Sequence, residues 1–77
     1  MKVSKAEAER LKALAVLGKR LSAAREAKKL TQAQIAKTLG LSKGTVGGWE
    51  SGAHGIRSGR LGEVSELYGL PVAELVA

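Results

Sequence analysis

The side chains able to do chemistry concentrate in the middle of the chain: Gln32, Lys37, Ser42, Lys43 and Thr45, then His54, Arg57 and Arg60. All of them donate hydrogen bonds or carry positive charge, and none belongs to a set that could shuttle a proton or form a covalent bond. His54 is the single histidine, cysteine is absent, and no Ser-His-Asp set or pair of carboxylates stands nearby. The chemistry on offer is recognition of an anion, with no catalysis, metal, cofactor or small-molecule ligand expected. One stretch among these residues poses a question. "KGTVGGWESG", Lys43 to Gly52, sets Gly44, Gly47, Gly48 and Gly52 around the only tryptophan, in a segment that flanking signals mark as a helix. Each glycine in a helix interior costs about 1 kcal/mol relative to alanine. The reason for that cost has to lie in what the helix is for.

The elements that position these residues are helices. Apolar residues recur at three- and four-residue spacings throughout, and no segment alternates over a strand's length. Ser4 and Glu7 form a capping-box pattern, after which Leu11, Leu14, Leu17, Leu21 and Ala24 mark one face as far as about Lys28. Gly18 leaves open whether this is one long helix or two joined at the glycine. Thr31 with Gln34 repeats the capping box for a second helix through Ile35, Ala36 and Leu39, which Gly40 ends. Ser42 caps a third over Lys43 to Glu50, burying Val46 and Trp49. The loop "SGAHGIRS" leads to a fourth, about Gly59 to Tyr68, with Leu61, Val64 and Leu67 inward. Gly69 stops it, and Pro71 stands where a fifth, "PVAELV", can begin. The expected fold is all-α: one compact five-helix domain over 1–77, with 1–16 extending the first helix and a helix-turn-helix unit at 32–51.

Charge agrees with anion recognition. The formal net charge is +6, and all 13 Lys and Arg residues lie between Lys2 and Arg60, whereas the tail from Leu61 carries only Glu63, Glu66 and Glu74. A chain so divided suits setting one face against a polyanion while the tail turns away. The lack of cysteine excludes a disulfide scaffold, a redox motif and a thiolate zinc site. No apolar run is long enough for a membrane span, and "MKVSKAEAERLK" puts charges where a signal peptide needs an apolar stretch. A cytoplasmic protein whose mature chain begins here is expected.

Between Gln32 and Ser51 the constraints combine: small Ala36 at a close helix crossing, Gly40 four residues on for a left-handed turn, then Val46 and Trp49 as anchors of the next helix. From "LGKRLSAAREAKKLTQAQIAKTLGLSKGTVGGWESG" through "LGEVSELYGLPVAELV" the sequence resembles the phage repressor and Cro type of helix-turn-helix regulators. The resemblance implies a lambda-repressor-like fold, double-stranded DNA as partner, and roles for particular residues. Gln32, at a helix N-terminus that favours anions, corresponds to a position that holds a DNA phosphate. Lys43, Gly44, Thr45 and Gly48 correspond to exposed positions of the recognition helix, and Arg25 with Glu50 to a pair bridging the first and third helices. Ser42, Lys37, Gly47, His54, Arg57 and Arg60 complete the expected DNA-facing set. Glycine at the reading positions departs from the family's pattern. Only Lys43 and Thr45 remain on that helix for base contacts, so phosphate contacts and DNA shape would have to supply selectivity, or the fold serves another partner.

Other readings carry less. A phosphate-binding loop needs Gly-Lys-Thr after a strand, and this chain has Lys43, Gly44, Thr45 without one. "GTVG" fits the loop of a KH domain, but the three-stranded sheet is missing. The main rival is a protein-interaction module of the same fold: antitoxin, adaptor or antirepressor. A homodimer, at least on DNA, is expected. Two surfaces could form it: the C-terminal end with Leu70, Val72, Leu75 and Val76, which is preferred, or Ser4 to Val16 with Leu11, Leu14 and Val16.

Overall fold

A computed structural model describes residues 2–77. Four α-helices follow one another: α1 Lys5–Ala27, α2 Gln32–Leu39, α3 Lys43–Ser51 and α4 Leu61–Tyr68, with 3-10 turns at Ser58–Arg60 and Val72–Glu74. No strand occurs among the described residues. None of the helices is long and apolar enough to cross a membrane.

The starts and stops follow from side-chain and backbone chemistry. Ser4 accepts a hydrogen bond from the Glu7 amide, Thr31 and Gln34 make a reciprocal capping box, and Ser42 accepts from the Thr45 amide. Each cap satisfies amides that the first helical turn leaves without partners. Gly40 closes α2 at φ 69° and Gly52 closes α3 at φ 80°, left-handed conformations that strain any residue bearing a Cβ. The fifth helix is not formed. After Pro71 the chain makes only the 3-10 turn, and that single turn already delivers Leu75 into the core at 1% exposure. So few residues cannot repay the nucleation of an α-helix.

Gly18 does not divide the first helix. α1 runs unbroken through it, and Gly18 is buried where α3 crosses. A Cβ there would collide with the backbone carbonyl oxygen of Glu50 and stand 3.0 Å from that of Trp49. The missing side chain is what lets the two helix backbones approach. Around this crossing Leu17, Leu21, Ile35, Ala36, Leu39, Val46, Trp49, Val64, Tyr68 and Leu75 form one core. α3 thereby rests on α1 and α2 together, and α4 closes the other side.

Candidate nucleic-acid interface

The third helix has two unlike sides. Val46 and Trp49 point into the core at 0% and 3% exposure. With about 100° of rotation per residue, Gly44 and Ser51 come out on the far side, with Gly47 and Gly48 on its two margins. A Cβ on Gly44 would meet nothing closer than the Ser42 hydroxyl at 3.8 Å, and one on Gly47 would touch the Gln32 side chain at 3.5 Å. Ser51 turns its hydroxyl back to the Gly48 carbonyl at 3.3 Å. Thr45 shares a 2.9 Å hydrogen bond with Ser42. Lys43 is the one long side chain on this helix's surface, exposed and without an ion pair among the described residues.

The inner edge of α3 is occupied by a saturated polar cluster. Glu50 has a side chain only 3% exposed, and Arg25 of α1 reaches it at 2.8 Å. The Arg25 guanidinium donates through Nε to both carboxylate oxygens, at 3.0 and 2.8 Å, and through Nη1 to the Leu30 carbonyl at 2.8 Å. Ser22 of α1 donates to Glu50 Oε1 at 3.0 Å, Gln32 of α2 to the same oxygen at 3.2 Å, and Tyr68 of α4 to Oε2 at 2.8 Å. One carboxylate therefore ties all four helices. Burial pushes the Glu50 carboxyl upward, but the hydrogen bonds from Arg25, Gln32, Tyr68 and Ser22 outweigh it and hold the group below its ordinary value. Burial, and then the bond to Glu50, drive the Tyr68 phenol well above its ordinary value. The Arg25 guanidinium is raised by its bonds to Glu50. No buried side-chain polar atom among the described residues lacks a partner.

The sequence-derived site residues take different places around this frame. Gln32 stands at the first position of α2, its amide committed to Glu50. Lys37 and Arg57 are exposed and lack ion pairs among the described residues. Arg60 donates to the Leu39 carbonyl at the end of α2 at 2.8 Å and lies 3.6 Å from Glu63, so it pins the loop to α2. His54 lies over Gly48, with its ring Nδ1 at 3.3 Å from the Gly55 carbonyl. Thr45, His54, Arg57 and Arg60 line a cleft of about 540 Å³ between α3 and the loop that follows it, with Leu41 and Trp49 forming its apolar wall. Among the described residues, no group of three or more histidine or acidic side chains comes together to hold a metal ion.

Two residues of the Glu50 cluster, Ser22 and Tyr68, are not among the site residues expected from the sequence. Tyr68 carried one usable signal, since a buried phenol needs an acceptor and the chain has few acids. Of the two surfaces considered for pairing, the C-terminal one keeps only Val72 and Val76 among its strongly exposed members, at 43% and 60%, because Leu75 is inside the core. Arg20 further fastens that end, donating to the Glu74 carbonyl at 3.1 Å. On α1, Leu14 is buried while Leu11 and Val16 are about half exposed, at 53% and 51%.

A family model for the helix-turn-helix matches residues 21–75, taking in the end of α1, all of α2, α3 and α4, and the C-terminal turn. No curated protein and no solved structure matches the chain. The matched segment spans most of the sequence and contains the capped α2, the left-handed Gly40 and the α3 that rests on them. The chain belongs to the Cro/C1-type helix-turn-helix family of DNA-binding regulators.

Proposed function

We propose that the protein is a small Cro-like repressor that sets the far side of α3 into the major groove of double-stranded DNA. The observation that carries this reading is the contrast across α3: its inner edge is fixed by Glu50 to every other helix, while on its outer side a Cβ at Gly44 would meet only the Ser42 hydroxyl of its own cap. A helix held rigidly and left bare on one side suits close approach to a flat or grooved polyanion. Gln32 and Ser42, at the N-termini of α2 and α3, and the cations Lys37, Lys43 and Arg57 supply phosphate contacts, with Thr45 at the groove edge. Arg60 contributes by holding the loop. Two copies pair on two half-sites, which raises the affinity of a recognition unit with few base-reading groups.

Selection of duplexes from a random pool, followed by a salt titration of the best binder, tests this. The expected result is a palindromic site and a steep fall of affinity with salt, as neutralised phosphates require. The bare outer side equally suits an adaptor that docks a protein, and that reading requires duplex affinity that is weak and unselective.

A further inference from the structure

The glycine at position 48 has a specific occupant above it. Gly48 lies inside α3 with ordinary helical backbone, so no left-handed conformation calls for glycine there. What a larger residue would have to displace is His54. A Cβ on Gly48 would run into the imidazole Nε2 and stand 2.9 Å from both Cδ2 and Cε1. The ring thus occupies the space into which the side chain of residue 48 would project, and it remains exposed to solvent.

From this we infer that His54 is the base-reading side chain of the otherwise bare recognition helix, supplied from the following loop and seated on Gly48. The inference rests on the proposed insertion of α3 into the major groove. It accounts for a feature that groove insertion alone does not, since close approach of the backbone would be served as well by alanine. The chemistry of the ring is set by its neighbour. The Gly55 carbonyl can only accept, so Nδ1 carries the hydrogen that faces it at 3.3 Å. In the neutral ring Nε2, the atom that rests on Gly48, then carries a lone pair at the surface of α3, an acceptor for an exocyclic amino group of adenine or cytosine that reaches this surface in the major groove. Arg57, exposed on the same cleft wall, lies within the same loop to engage the adjoining phosphate.

The test is duplex selection from a random pool with the wild type, His54→Ala and Gly48→Ala, together with melting temperature and salt slope for each. The wild type is expected to enrich one A or C position per half-site, and His54→Ala to lose about tenfold of the discrimination at that position. Its salt slope should stay unchanged, and its melting temperature should fall by no more than the small contribution of the ring's seat on Gly48. Gly48→Ala should show the same loss with His54 intact, because the new methyl evicts the ring. If the wild type enriches a site and His54→Ala enriches the same one, the inference is overturned and groove binding stands. A reduced salt slope with unchanged sequence preference also overturns it, by making His54 a phosphate contact. If the wild type binds duplex without any preferred sequence, His54 reads no base and the inference falls alone; if it binds no duplex, the groove-binding reading falls with it.

Discussion

The two sides of α3 use opposite means. Toward the core, a single carboxylate accepts hydrogen bonds from Arg25, Ser22, Gln32 and Tyr68, so that four helices share one charge. Toward solvent, three glycines remove most groups that could interact, and of the side chains at the helix start Ser42 and Thr45 bond to each other, which leaves Lys43. Low intrinsic helix propensity is tolerable on the outer side because the inner side fixes the helix from outside. In a domain of this size tertiary contacts, not propensity, decide whether so short a helix forms. The comparison yields experiments that should separate the two sides sharply.

The largest effect is expected from Glu50→Ala. It strands the Arg25 guanidinium, whose side chain is only 15% exposed, and frees Tyr68, Gln32 and Ser22 at once. Removing one partner of a buried pair costs about 3–5 kcal/mol, a large part of the stability of a small domain. Thermal melting followed by circular dichroism should find the variant largely unfolded at 37 °C. Tyr68→Phe deletes one charge-assisted bond and should cost about 1.5–3 kcal/mol. A melting temperature unmoved by either substitution would show that the cluster does not hold the helices.

Titration probes the same cluster without mutation, and the two directions can be worked out separately. The Glu50 carboxyl is depressed in the folded state, so its contribution is present above the ordinary value of 4.5 and is lost as pH falls through the lower folded value. The Tyr68 phenol is raised, so its contribution is complete below the ordinary value of 10.0 and declines as pH climbs beyond it. Urea midpoints should form a plateau between these limits and drop on both flanks. In Tyr68→Phe the alkaline drop should shrink while the acid drop persists.

Gly18→Ala comes next. Helix propensity alone favours alanine by about 1 kcal/mol, but the obstacle at Gly18 is the Glu50 backbone carbonyl, which has no rotamer to escape into. Forcing α1 and α3 apart should cost about 1–3 kcal/mol net, visible as a lower urea midpoint. A higher midpoint would show that the two helices are not locked at this crossing.

How much of this was legible in the sequence depended on distance along the chain. The caps at Ser4, Thr31 and Ser42 and the turn at Gly40 are local, decided by side chains three or four residues apart, and the sequence reading placed all of them. Gly18 could be read only as a weak point, because the backbone that requires it belongs to Trp49 and Glu50 on another helix. Arg25 and Glu50 entered that reading by resemblance; Tyr68 entered it only as the end of a helix, and Ser22 was given no role. Bonds between residues 18 to 28 positions apart leave no periodic trace. The seat of His54 on Gly48 was hidden for another reason. The segment between them is short, yet Gly52 within it leaves its path open until the left-handed turn there is known.

The smallest effects, and the finest comparison, lie among the outer glycines themselves. Gly44→Ala and Gly48→Ala gain the same intrinsic helix propensity, about 1 kcal/mol, which in a domain of this length raises the melting temperature by about 4–8 °C. Their surroundings differ. At Gly44 the added methyl meets only the Ser42 hydroxyl, at an ordinary contact distance of 3.8 Å, so the full gain should appear. At Gly48 it meets the His54 ring, an exposed side chain that can swing away but loses its seat in doing so. The rise there should be smaller, and measured against His54→Ala instead of the wild type the same Gly48→Ala change should give the full gain, because nothing is left to displace. Equal rises for Gly44→Ala and Gly48→Ala would mean that the ring rests on α3 without holding to it, and the outer side would then be bare along its whole length.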